Sequence, residues 1–258
     1  MTHPYFLKAE QPRILAHRGL VTAEGRESGV WENTAAAFAA AHAAGAEYIE
    51  TDCQVTADGD VVLFHDHDLR RLVDDPRAVH EVRTRELSAL FAEHGGLLTV
   101  AEALSAFPET RFNVDVKTPA AAAPLGPILA AHTHRVLVTS FSDANRRATI
   151  EAVRQTGTAL WPATSGGSRT IAALRALSAV RLSPGRLLRE IDALQIPERH
   201  GAIRVLTPAL LRAAHRAGAE VHVWTVNEAD DMRRLVDAGV DGVVTDRADL
   251  AVATLRKP

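Results

Sequence analysis

Short apolar runs rich in β-branched residues alternate along this chain with longer segments whose apolar positions recur at helical spacing. Such alternation is the signature of βαβ units and a parallel sheet. The apolar runs predict strands at residues 13–16, 47–54, 61–64, 111–116, 135–139, 158–161, 179–182, 220–225 and 242–245. The helical spacing predicts helices at 33–44, 100–107, 144–156, 169–176, 208–217 and 228–238. Nine strands thus compete for the eight places of an α/β fold of the (β/α)8 TIM-barrel type, which typically needs about 250 residues. The chain has 258.

One βα unit is expected to be irregular. Parallel neighbours need a crossover of about a dozen residues or more, and the link 56–60 is too short for one. It carries Asp58-Gly59, a strong turn signal. Residues 66–97 are polar, open with HDHDLRRLVDDP and lack a clean strand. They read as an extended loop or small insertion after the third strand. With neither an internal repeat nor a second hydrophobic core in the pattern, one domain over 1–258 is expected.

Composition narrows the function classes. Apolar residues make up 47% and charged residues 24%, as in a soluble globular protein. A formal charge of −3 gives no electrostatic case for nucleic acid. No apolar run approaches the roughly 20 residues of a membrane span. The amino-terminal MTHPYFLKAEQPR has no basic region followed by an apolar stretch, so no signal peptide is expected. Cys53 is the single cysteine; an internal disulfide is ruled out, and a reducing, cytoplasmic location is expected. Its plain reading is a small core residue. Of 29 basic residues only Lys8, Lys117 and Lys257 are lysine, so one lysine is retained deep inside a chain that otherwise writes its cations as arginine.

In a parallel barrel, catalytic side chains come from the carboxyl ends of strands and the loops after them. The first strand here runs into His17-Arg18-Gly19, the second carries Glu50 and Asp52, and the third runs into His65-Asp66. The fourth carries Asp115 and Lys117; side chains two apart on a strand share a face. Further along, strands end in Ser140-Phe141, in Trp224-Thr225-Val226-Asn227 and in Thr245-Asp246. Each feature alone has a bland reading: a lone histidine is more often a hydrogen-bonded structural residue, and an acidic pair more often solvated or salt-bridged. Together they point elsewhere. Three carboxylates at one barrel mouth raise each other's pKa, and a divalent cation would remove that repulsion. All-oxygen ligation suits Mg²⁺ or Ca²⁺. Two histidines beside it could serve as acid and base, while Arg18 and Lys117 supply charge for a phosphoryl oxygen.

These residues carry a resemblance. AHRG, WENT, IETDCQVTADGDVVLFHD, LTVAEAL, NVDVK, TSF, VHVWTVN and GVDGVVTDRAD stand in the order seen in the glycerophosphodiester phosphodiesterase family. The chain resembles that family from Ile14 to Asp249, and is related in fold and site to the phosphatidylinositol-specific phospholipases. The resemblance implies metal-dependent hydrolysis of small-molecule glycerophosphodiesters to glycerol 3-phosphate and an alcohol. By the same resemblance His17 and His65 are the acid–base pair, and Glu50, Asp52 and Asp115 hold one divalent cation. Arg18 and Lys117 bind phosphate; Asn33 and Trp224 border the substrate. A route like that of the phospholipases would have a glycerol hydroxyl attack phosphorus, with His17 as base and His65 as acid.

Two departures stand out. The family motif usually reads E-x-K where this chain has Asp115-Val116-Lys117, one methylene shorter. Residues 20–31 look longer than usual and place Trp31 where proline is common; they read either as a tolerated surface insertion or as a substrate-contacting loop. Two rival functions share the fold. Lys117 could be the Schiff-base lysine of an aldolase-like barrel, although neighbouring carboxylates stabilise its charged form. A non-catalytic phosphodiester-binding barrel is the other, and the presence of both histidines counts against it.

Overall fold

The computed structural model describes residues 2–256. Eight parallel strands form a nearly closed barrel: β1 (Arg13–His17), β2 (Tyr48–Val55), β3 (Arg111–Val116), β4 (Val136–Thr139), β5 (Ala163–Thr164), β6 (Ala193–Pro197), β7 (Glu220–Trp224) and β8 (Gly242–Thr245). Their hydrogen-bonded order is β5-β4-β3-β2-β1-β8-β7-β6. The seam between β5 and β6 is thin. It is held by Asp192 N–H to Thr164 O at 2.9 Å and Gly166 N–H to Ala193 O at 3.2 Å.

Local chemistry sets the helix starts. Thr34, Ser142 and Thr207 cap Ala35–Ala43, Asp143–Gln155 and Pro208–Arg216 with side-chain oxygens that accept from backbone N–H groups. Thr99 and Glu102 form a reciprocal capping box on Val100–Ala106. These helices bury their inward faces against the outer wall of the strands in one large apolar cluster. A smaller cluster fills the barrel interior, where Leu15, Leu137, Ala163, Ala193 and Val244 meet Tyr5 and Phe6 of the amino-terminal segment.

The structure corrects three predicted strands. Val61–Leu63 is a strand but not a barrel stave: it folds back through the Gly59 turn and pairs antiparallel with the end of β2, Cys53 opposite Leu63. Residues 158–161 form no strand; Trp161 is 46% exposed, with the Arg154 guanidinium over its ring, and the fifth stave follows at Ala163–Thr164. Residues 179–182 are the end of helix Ser168–Ala179 and a turn that leaves Val180 and Leu182 exposed. The sixth stave is Ala193–Pro197 instead. Its ALQIP sequence conceals it, because Gln195 points inward to accept from the Asn113 amide at 3.1 Å, and a proline closes the run.

Residues 66–97 hold a hairpin (Asp68–Leu69 with Asp75–Ala78) and helix Thr84–Phe91. They pack on a small apolar cluster of their own, with Leu69, Val79, Leu87 and Phe91 against Val62 and Phe64.

Candidate active site

The carboxyl ends of the strands present one cavity of about 670 Å³. His17 ends β1, and the chain turns at once through Arg18 (φ 57°) and Gly19 (φ 87°). A Cβ on Gly19 would lie 2.8 Å from the Ala37 backbone, so the helix Ala35–Ala43 approaches too closely for any other residue. Glu50 and Asp52 alternate onto the inner face of β2, and Asp115 lies opposite Asp52 on β3. Lys117 follows β3, His65 follows the antiparallel strand Val61–Leu63, and Trp224 ends β7. Of the nine residues singled out in the sequence, these seven and Arg18 line the cavity.

Asn33 does not. Its amide donates to Asp52 Oδ2 at 3.2 Å and its carbonyl accepts from the Thr51 hydroxyl at 2.7 Å. It is 2% exposed, and it orients Asp52 from behind rather than facing the cavity.

Cations are threaded between the acids. The Lys117 ammonium stands 2.7 Å from Asp52 Oδ1 and 2.6 Å from Asp115 Oδ2. Arg18 Nε lies 3.1 Å from Asp52 Oδ2, and Arg18 Nη1 donates to Glu32 at 2.8 Å. Burial disfavours the charged form of Asp52, but Lys117, Arg18 and His65 outweigh it and hold its carboxyl below the ordinary range. Asp115 goes the other way: burial wins over the single ammonium beside it, and its pKa is raised. Among the described residues Glu50 meets no lysine or arginine directly; its Oε2 lies 3.9 Å from His17 Nε2. Burial first, and then the Asp52 charge, push it up to about 8. Glu50 Oε2 and Asp115 Oδ1 are both buried without a hydrogen-bond partner among the described residues, a costly state for charged oxygens. Among the described residues no three acidic, histidine or cysteine side chains surround a common point; Lys117 occupies the gap between two of the acids.

Each histidine is locked by a carboxylate. His17 Nδ1 lies 2.6 Å from Asp246 Oδ1, and His65 Nδ1 lies 2.6 Å from Asp66 Oδ1. An ionised carboxylate only accepts, so each Nδ1 carries a hydrogen and each Nε2 is left free. Burial opposes the His17 imidazolium, but the Asp246 bond and the Glu50 charge more than compensate and raise its pKa. The partners are themselves held. Asn227 donates to Asp246 at 2.8 Å. Arg71 reaches from the 66–97 segment to Asp66 at 2.5 Å and to Glu32 at 2.6 Å.

Asp246, Asp66, Glu32 and Arg71 had no assigned role in the sequence. The strand-end Thr-Asp and His-Asp pairs were a signal for the first two; nothing local marks Arg71. Trp31 sits away from the cavity, stacked on His94 at 3.8 Å and edge-on to Phe91 at 4.9 Å. Residues 20–31 are therefore anchored to the 66–97 segment.

Known proteins bear on this arrangement. A model of the glycerophosphoryl diester phosphodiesterase family matches residues 17–250. The chain is 36% identical to a probable glycerophosphodiester phosphodiesterase 2 of Mycobacterium tuberculosis, over 95% of this chain and 91% of that one. It is 26% identical to a glycerophosphodiester phosphodiesterase of Caldanaerobacter subterraneus subsp. tengcongensis, over 95% and 98%. The crystal structure of a glycerophosphodiester phosphodiesterase from Thermotoga maritima superposes with a TM-score of 0.71 at 25% identity, covering 93% of this chain and 96% of that one. With a matching barrel and a family match spanning every residue of the cavity's charged half, the chain belongs to the glycerophosphoryl diester phosphodiesterase family and is a phosphoric diester hydrolase acting on glycerophosphodiesters.

Proposed function

We propose that this enzyme hydrolyses glycerophosphodiesters to glycerol 3-phosphate and an alcohol with a His17/His65 acid–base pair and one divalent cation, Mg²⁺ or Ca²⁺. The observation that carries the reading is the pair of carboxylate-locked imidazoles on one cavity, each with a free Nε2, beside buried acids. A glycerol hydroxyl attacks phosphorus and passes its proton to one Nε2. The bond from phosphorus to the departing alcohol breaks, and the other imidazolium protonates that oxygen. Water then opens the resulting cyclic phosphodiester with the two roles exchanged. Fixing both tautomers in advance removes a reorganisation cost from the reaction.

The donor set fits a hard cation. Glu50 and Asp115 each offer a partnerless buried oxygen, and Asp52 stands between them in the same charged cluster. These three carboxylates would hold the ion; when bound it supplies positive charge to the phosphoryl oxygens. Arg18 and Lys117 add fixed positive charge at the same place, and Trp224 forms an apolar wall. The test is release of glycerol 3-phosphate from glycerophosphocholine, with and without EDTA. Activity is expected to vanish on chelation and return with Mg²⁺ or Ca²⁺. Full activity after exhaustive chelation would exclude the cation. No hydrolysis of any glycerophosphodiester with any divalent ion would overturn the whole reading.

A further inference from the structure

The segment 66–97 puts no residue on the cavity wall, yet one of its side chains reaches two parts of the charged cluster. Arg71 lies in the short helix Arg70–Val73, between the two strands of the hairpin Asp68–Leu69/Asp75–Ala78. Leu69 and Val79, each 1% exposed, bury in the same apolar cluster as Val62 and Phe64, so the helix has a fixed seat. From there the guanidinium places two nitrogens on two different carboxylates. Nε meets Asp66 Oδ2 at 2.5 Å, and Nη2 meets Glu32 Oε1 at 2.6 Å. Asp66 turns its other oxygen to His65 Nδ1 at 2.6 Å, and the same Glu32 oxygen accepts from Arg18 Nη1 at 2.8 Å. Arg18 continues to Asp52, whose Oδ2 is 3.1 Å from its Nε. An unbroken chain of ionisable groups therefore runs from His65 to Asp52, with Arg71 at its middle.

Resting on the phosphodiesterase reading above, we propose that Arg71 is a positioning residue that holds His65, through Asp66, and Arg18, through Glu32, in one fixed arrangement. Asp66, Arg71 and Glu32 are all absent from the cavity wall, so they act on a substrate only through those two groups. The plain alternative is a cluster of surface ion pairs. Arg71 is 48% exposed, Glu32 28% and Asp66 21%, and exposed pairs contribute little to stability. The geometry argues for more. A guanidinium is a rigid fork, and seating its nitrogens on separate carboxylates fixes the distance between them. Without Arg71, and among the described residues, the Asp66 carboxylate keeps only His65 as a side-chain partner, and Glu32 keeps only Arg18. Both acting groups then gain freedom to swing. Such freedom is costly in catalysis: a misplacement of about 1 Å lowers a rate by roughly 10²-fold. The loss of a partner behind a directly acting group costs about 10–100-fold at metal centres. Arg71 should therefore matter far more to turnover than to stability.

The test is Arg71→Met, assayed beside the wild type on glycerophosphocholine with Mg²⁺ or Ca²⁺. Its kcat should fall by about 10–100-fold. KM should stay within about threefold, because Arg18 and Lys117 still carry the charge that binds phosphate. Tm should stay within about 4 °C, the effect of losing an exposed pair. In a His65→Ala background the same substitution should cost no more than about threefold, because the imidazole it orients is gone and Arg18 retains Asp52. Arg71→Ala leaves a half-exposed gap, so millimolar guanidinium chloride should restore turnover there and do nothing for His65→Ala. Undiminished kcat in Arg71→Met, or equal losses in the two backgrounds, would overturn the proposal and leave the phosphodiesterase reading intact. A Tm lowered by more than about 10 °C, with no rescue by guanidinium, would make Arg71 a structural tie and overturn it equally. Absence of hydrolysis in the wild type itself would overturn both.

Discussion

Replacing Lys117 with methionine tests the electrostatic logic of the site directly. Among the described residues the ammonium is the one group within 2.7 Å of both Asp52 and Asp115, and its side chain is only 18% exposed. Methionine keeps the length of the chain and removes the charge. Breaking a buried ion pair from one side costs about 3–5 kcal/mol. For a domain of this size about 1 kcal/mol shifts Tm by 2–4 °C, so the variant should melt roughly 6–20 °C lower in EDTA. The loss should depend on pH. With the cation gone, Asp115, already raised by burial, holds its proton still more tightly in the folded state than in the unfolded chain, while Arg18 and His65 still face Asp52. Linkage then makes stability fall as pH rises, so the deficit should be larger at pH 8 than at pH 5. A divalent cation at about 100 times its Kd stabilises by about 2.7 kcal/mol, which would restore some 5–11 °C. Differential scanning fluorimetry or calorimetry on both proteins at two pH values, with and without Mg²⁺ or Ca²⁺, measures all of this. An unchanged Tm, or a deficit independent of pH, would refute the claim that Lys117 neutralises a buried acidic cluster.

Other expectations follow from the same geometry. Cation affinity should rise by up to tenfold per pH unit from pH 6 and level off near 8, because Glu50, pushed to about 8, must release its proton to ligate; calorimetric titration giving one affinity across that range would remove Glu50 from the ligand set. His17→Ala and His65→Ala should each lower kcat by about 10²–10⁴, the usual contribution of a positioned acid or base, and a loss of tenfold or less at either would make that residue structural. Asp246→Asn removes the negative charge that helps raise the His17 pKa while leaving an oxygen that can still accept from Nδ1, so the corresponding limb of the pH–kcat/KM profile should move to lower pH; an unmoved limb would detach Asp246 from catalysis. Asp115→Asn should weaken cation binding while Asp115→Glu preserves it, and wild-type affinity in the asparagine variant would show that this carboxylate is not a ligand.

Six of the eight barrel strands were legible in the sequence because their outer faces meet helices and demand apolar, β-branched residues in runs. Ala163–Thr164 and Ala193–Pro197 were not. One is two residues long, and the other carries Gln195 toward the barrel interior, so neither shows a continuous apolar run. The decoys at 158–161 and 179–182 were apolar but exposed, and periodicity cannot tell an exposed apolar run from a buried one. The antiparallel return of Val61–Leu63 was half visible, since the short 56–60 link excluded a crossover and left its pairing open.

The sequence by itself determined which chemical groups arrive at the barrel mouth, because strand alternation and strand ends decide which side chains can face it. Glu50 and Asp52, Asp115 and Lys117, and His17 with Arg18 were all readable on that basis. Only the tertiary structure decided how those groups are paired. Asn33 sits behind Asp52 rather than on the cavity wall. Asp246, 229 residues from His17, sets that histidine's tautomer. Arg71 links Asp66 to Glu32 across the 66–97 segment. Spacing along a strand is a short-range property of the backbone. Hydrogen bonds and cavity walls depend on distances between elements remote in sequence, which exist only once the barrel has closed.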